Sequence, residues 1–200
     1  IVNPAGVYFG HGAVVNVGGL YAGAANLTNA DFLSGVNHFA NADGDVVNRG
    51  TIDASVVALV GRHVANFGTI RAPDGLVTMA AGRDILLSDR DRRVMVRLEG
   101  ANAAADDQPG VVNEGEIDAA GGAVVWGAGD MYALGIHQSA AGRVKAGSIT
   151  AQADGGDVRI DGQVDASDAD GVGGDVTITG ERVRVGATID ATGAEGGGSI

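Results

Sequence analysis

Apolar and polar positions along the chain repeat a short unit: a turn, one apolar residue flanked by polar ones, then a small residue. Asn48-Arg49-Gly50-Thr51-Ile52-Asp53-Ala54 is its clearest copy, followed by Asn66-Phe67-Gly68-Thr69-Ile70-Arg71-Ala72 and Asn113-Glu114-Gly115-Glu116-Ile117-Asp118-Ala119. Looser copies stand at Gly147-Ser148-Ile149-Thr150-Ala151, Gly162-Gln163-Val164-Asp165-Ala166 and Ala187-Thr188-Ile189-Asp190-Ala191. The apolar anchors Ile52, Ile70, Ile117, Ile149, Val164 and Ile189 are separated by 18, 47, 32, 15 and 25 residues. An irregular period near 20 with occasional long gaps predicts a solenoid whose loops vary while its strands stay in register.

A second signal follows each copy: a glycine turn leading into alternating apolar residues, as in Gly121-Gly122-Ala123-Val124-Val125, Gly155-Gly156-Asp157-Val158-Arg159-Ile160 and Gly173-Gly174-Asp175-Val176-Thr177-Ile178. Alternation points every second side chain to one side of a strand. The pattern therefore predicts an all-β fold, a right-handed parallel β-helix with an extra-helical excursion or hairpin. Its interior would stack Ile52, Ile70, Ile117, Val124, Ile149, Val158, Val164, Val176 and Ile189. Roughly eight to ten coils at about 4.8 Å each would give a rod about 40 to 50 Å long.

Two stretches break the rhythm. Asn26-Leu27-Thr28-Asn29-Ala30-Asp31-Phe32-Leu33 has a capping residue and helical spacing, which predicts a short helical turn or loop outside the coils within residues 23–44. Phe32, Val36 and Phe39 would then cover the solenoid flank. Charges at Ser88-Asp89-Arg90-Asp91-Arg92-Arg93, one-sided alternation over Val94-Met95-Val96-Arg97-Leu98-Glu99 and a loop from Ala101 to Gly110 predict a strand or hairpin leaving the coil.

Composition narrows the functional classes. Aromatic residues make up only 4% while there are 35 glycines, so the interior must be packed with Val, Ile, Leu and Ala. A net charge of -12, with Lys145 the only lysine, excludes the basic stripe that nucleic acid requires. No cysteine is present for disulfides or thiolate metal sites. No apolar run reaches the length of a membrane helix, which argues against membrane insertion. The start without Met and the end inside a glycine corner, Gly196-Gly197-Gly198-Ser199-Ile200, give the expectation of a piece of a longer protein.

Chemistry needs convergent groups, and the ionisable residues are spread along the chain. His11, His38, His63 and His137 have no carboxylate or nucleophile at a recurring motif spacing and read as turn or loop residues. Asp53, Asp118, Asp165 and Asp190 could stack into a carboxylate ladder, with Arg71 and Thr150 interrupting it. Carboxylates about 5 Å apart in water repel by only about 0.8 kcal/mol, so such a ladder needs no metal. The glycine pairs complete neither a phosphate loop nor a calcium-binding nonapeptide. Asn48, Asn66 and Asn113 are expected to satisfy turn backbone, partly as a stack. The reading assigns no catalytic residue, no cofactor and no metal ligand.

Three further stretches carry a family likeness. Asn3-Pro4-Ala5-Gly6-Val7-Tyr8-Phe9-Gly10, then Gly12-Ala13-Val14-Val15-Asn16-Val17-Gly18-Gly19-Leu20, then Ala30-Asp31-Phe32-Leu33 resemble the secretion domain of filamentous-haemagglutinin-like exoproteins of two-partner secretion. The likeness is dense over residues 1–80, and it departs at Ala5, where the family usually has a second Asn. Met131-Tyr132-Ala133-Leu134-Gly135-Ile136-His137 and the Ile-Asp-Ala copies resemble the family's stem repeats. The resemblance implies an adhesin-like exoprotein, secreted or on the cell surface of a Gram-negative bacterium, recognised during export by an outer-membrane transporter. A host or cell-surface glycan or protein receptor would be its other partner. Asn3, Pro4 and Gly6 would shape the secretion-motif turn. Residues 1–110 would be the C-terminal part of a two-partner-secretion-like domain, and 111–200 stem repeats continuous with it. The alternatives are a structural stalk without its own ligand, or a polysaccharide lyase or hydrolase on the same scaffold.

Overall fold

The computed structural model describes residues 1–90, 93–99 and 107–200, with side chains over 1–87 and 107–200. Parallel strands wind into a right-handed β-helix of seven coils among the described residues, fewer than the eight to ten expected. The surplus in the estimate came from residues that leave the helix and add no coil.

Each full coil contributes one strand to each of three ladders. The first ladder runs Val7–Phe9, Val46–Asn48, Val64–Asn66, Val111–Asn113, Leu134–Gln138, Asp157–Ile160, Val183–Val185. The second starts with Val14–Asn16, Thr51–Asp53 and Thr69–Arg71, and the third with Gly19–Gly23, Val56–Gly61 and Leu76–Ala81. Glu116–Ala128 and Arg143–Ala153 run through both of these ladders, bending at the corner between them.

Register turns the sequence pattern into columns. Val15, Ile52, Ile70, Ile117, Val144, Val164 and Ile189 pair successively along the second ladder. Leu20, Val57, Val77, Val124, Ile149 and Val176 do so along the third. Every residue named above for the interior faces it, distributed over the three ladders. One assignment changes: Ile149 pairs with Val124, and the true partner of Ile117 is Val144, within Arg143-Val144-Lys145-Ala146. Both candidates show the apolar-x-Ala step, and only pairing with the coil below separates them.

The corners are narrow. A Cβ placed on Gly68 would meet the Gly50 carbonyl, and one on Gly115 the Gly68 carbonyl, closer than carbon and oxygen approach without bonding. Glycine at these corners lets successive coils come within strand-pairing distance.

Two excursions leave by the same corner, between the third and first ladders. The first, within residues 24–45, carries a short helix, Asn29–Ser34, and the strand Asn37–Phe39. The second carries the antiparallel hairpin Asp84–Arg90 and Arg93–Glu99. They pair with each other, Ile85 against Phe39 and Leu87 against Asn37, as a three-stranded antiparallel sheet. Beneath it lies a second small core in which Phe39, Ile85 and Leu87 cover Ala58, Val60 and Ala80 on the outside of the third ladder.

The helix is capped by Thr28, whose Oγ1 accepts from the Asp31 N–H at 3.0 Å, and ends at Gly35 with φ 68°. None of its residues is buried. Phe39 covers the flank as expected, whereas Phe32 is 71% exposed and Val36 is also exposed. Phe39, with Ile85 and Leu87 of the adjoining strand, covers the alanine-rich face, and the helix residues stay unburied beside them. The charges expected at residues 88–93 and the one-sided burial over Val94–Glu99 concern side chains outside the described residues. The expected loop from Ala101 lies outside them as far as residue 106.

Candidate recognition surface on the first coils

The turn Asn3-Pro4-Ala5-Gly6 stands at the start of the first ladder. Gly6 donates its N–H to the Asn3 carbonyl at 3.0 Å, and the Asn3 Oδ1 accepts the Ala5 N–H at 3.2 Å. Pro4 presets the backbone angle of the turn, and Gly6 takes φ 124°, which other side chains rarely adopt. Asn3 donates its N–H to Gly23 at 2.9 Å, and Val7 donates to Asp45 at 2.9 Å. A Cβ on Gly44 would lie 2.5 Å from the Pro4 carbonyl. Asn3, Pro4 and Gly6, expected from the resemblance to shape a secretion-motif turn, do share one turn, seated against the end of the first excursion.

Beside it lies a depression of about 440 Å³ lined by Ala5, Gly6, Val7, Tyr8, Asp43, Gly44, Asp45 and Val47. The same end of the molecule displays large apolar side chains: Tyr8 is 62% exposed, Val14 72%, Phe32 71% and Leu33 83%. Among the described residues, no such side chain is exposed between Val36 and Val172. Val172, Val183, Val185 and Ile200 are exposed toward the other end, so both ends, and not the middle coils, carry apolar surface of the kind that interaction sites use.

The ionisable residues form neighbouring pairs. His63 Nδ1 lies 2.9 Å from Asp45 Oδ1, His137 Nε2 3.7 Å from Asp161 Oδ2 and His38 Nδ1 3.9 Å from Asp31 Oδ2. His11 sits exposed in a turn. The outward row containing the expected carboxylate ladder reads Asn16, Asp53, Arg71, Asp118, Lys145, Asp165, Asp190. Lys145, not Thr150, is the second interruption, as the corrected register requires. Arg71 lies 3.6 Å from Asp53, and Lys145 lies 3.3 Å from Asp165. Burial pushes the Asp165 carboxyl up, but hydrogen bonds from the Ser167 hydroxyl and N–H, with the Lys145 ammonium, together hold it below its ordinary value. Among the described residues, no three His, Cys, Asp or Glu are grouped to hold a metal ion.

Inside the coils, Asn48, Asn66 and Asn113 form the expected stack. Asn48 Nδ2 donates to Asn66 Oδ1 at 2.8 Å, and Asn66 Nδ2 to Asn113 Oδ1 at 2.9 Å. Asn48 Oδ1 also accepts the Gly50 N–H at 3.0 Å and Asn66 Oδ1 the Gly68 N–H at 3.3 Å, so these two rungs also hold their own corners. The next rung is Gln138, whose Nε2 donates to the Gln163 and Gly142 carbonyls. Its different residue type hid it from the sequence pattern, although Gly142 marks the same corner.

No family profile matches the chain, and no characterised protein sequence matches it either. The fold and the motif turn together define a class: the chain has the architecture of a two-partner-secretion exoprotein's secretion domain. Among the solved structures it resembles is the HMW1 secretion domain from Haemophilus influenzae, with a TM-score of 0.76 at 26% identity. That likeness covers 99% of this chain and 55% of the other, so the chain spans about half the length of the solved domain.

Proposed function

We propose that residues 1–110 are recognised by an outer-membrane transporter partner during export of a larger exoprotein, and that residues 111–200 continue it as β-helical stem. The exoprotein is then secreted by, or held on the surface of, a Gram-negative bacterium, where it acts as an adhesin toward a glycan or protein receptor. The observation that carries this reading is the joining of the Asn3, Pro4 and Gly6 turn to the first excursion, with Tyr8, Val14, Phe32 and Leu33 exposed at the same end.

The chemistry suits export. The chain crosses unfolded, and each coil forming outside pairs with the one before it, so folding opposes return. Asn3→Ala with Pro4→Ala in the full-length exoprotein, co-expressed with its transporter, should reduce secreted protein at least about tenfold, equivalent to about 1.4 kcal/mol of lost recognition. Unchanged secretion and unchanged transporter capture would overturn the turn's role.

A stalk without its own ligand is the second reading, favoured by the ion pairs that join neighbouring coils along the outward row of the second ladder. A glycan array with the purified chain separates the two. A lyase or hydrolase is disfavoured because Arg71 and Lys145 interrupt the carboxylate row and pair with Asp53 and Asp165, leaving Asp118 with no carboxylate neighbour in the coil on either side.

A further inference from the structure

The second excursion interrupts one corner of the helix. Between the second and third coils the turn from the third ladder to the first is Gly61-Arg62-His63-Val64, with Arg62 donating its N–H to Gly44 at 2.8 Å. Between the third and fourth coils, the chain leaves after Ala81 and returns at Gly110, which accepts the Val64 N–H at 2.9 Å and donates to Leu134 at 3.2 Å. Tyr132, in the next turn up, reaches down to this corner. It is 1% exposed, its hydroxyl donates to the Arg62 carbonyl, and its ring meets the His63 ring edge-on at 5.8 Å between centroids. Gly110 leaves room for it, since a Cβ there would lie 2.9 Å from the Tyr132 ring.

We propose that Tyr132 is a latch across the corner interrupted by the second excursion, so that the first three coils are sealed only once the chain through Tyr132 has folded over them. Nearest-neighbour stacking ties each coil to the next one. Tyr132 instead links a residue of the fourth-to-fifth turn to one 70 positions earlier. The cooperative unit therefore extends past residue 110. The consequence for export, that outward folding is not secured until Tyr132 has emerged, rests on the function proposed above; the latch itself does not.

The test is hydrogen exchange on the 200-residue chain carrying Tyr132→Phe or Gly110→Ala, read against the parent. Removing the hydroxyl alone should speed exchange of the Arg62 and Val64 amides about five- to tenfold, the effect of one lost hydrogen bond. Amides of Val164 and Val176 should be unchanged. Gly110→Ala, which displaces the ring, should give the same pattern more strongly. Loss of protection confined to residues 129–136, or Arg62 and Val64 amides within twofold of the parent in both variants, would overturn the latch. Intact protection at Arg62 and Val64 together with lost secretion in the Asn3 and Pro4 variant would leave the transporter reading standing without it.

Discussion

A polar side chain buried at a coil corner can find partners only in its own turn or in the coils above and below. Asn66 does both, accepting from Asn48 and donating to Asn113, with all three about fully buried. Asn66→Leu would orphan Asn48 Nδ2 and Asn113 Oδ1 and should cost about 2–6 kcal/mol, at about 1–3 kcal/mol for each unsatisfied group. Urea unfolding measures this. Gly115→Ala meets backbone that cannot give way, so a loss of about 3 kcal/mol or more is expected by the same method, at the upper end of overpacking costs. Asp165 makes stability depend on pH. Because its carboxyl is held below the ordinary value of 3.8, its contribution is present above that value and lost as pH falls through the lower, folded one. The deficit of Asp165→Asn in thermal unfolding should therefore be full at pH 7 and vanish in strong acid. The three Asn were legible because each precedes a glycine corner by two residues. Lys145 was not, because spacing alone admitted two registers for its coil, and Gln138 was not, because it differs in residue type from the three Asn below it.

At the level of elements, the excursions were legible as interruptions and not as a shared sheet. Pairing of Phe39 with Ile85 joins segments 46 positions apart, and no periodicity links them. The sequence suggested Phe32, Val36 and Phe39 as cover, and of these only Phe39 is buried. The cover needed by Ala58, Val60 and Ala80 is instead provided by Phe39, Ile85 and Leu87. Phe39→Ala should then cost about 3–5 kcal/mol, the usual cost for an aromatic removed from a core. Exchange should quicken in Asn37–Phe39 and Asp84–Leu87 while the central coils keep their protection. By contrast, Phe32→Ser and Leu33→Ser should change stability by no more than about 0.5 kcal/mol. A drop in transporter capture with that stability unchanged would assign these side chains to recognition.

Across the whole molecule, the sequence conveyed the solenoid because one-residue columns of Ile and Val repeat in every coil. The coils are fewer than the period near 20 suggests because the stretches 24–45 and 82–110 lengthen the chain and add no coil. Stability in such a stack is the sum of coils and their interfaces, so its ends, which have a neighbour on one side only, open most easily. Amide exchange should be slowest around Val64–Asn66 and Val111–Asn113 and faster toward Val14–Asn16 and Val183–Val185. A uniform profile would show instead that the chain opens as a single block.

Contour and altitude are separate variables in this design. From Ile52 to Ile70 the chain spends 18 residues climbing one storey, and from Ile70 to Ile117 it spends 47 on the next, yet each ascent is a single strand spacing. Relatives could lengthen or replace what hangs from that corner without changing the pitch of the shaft.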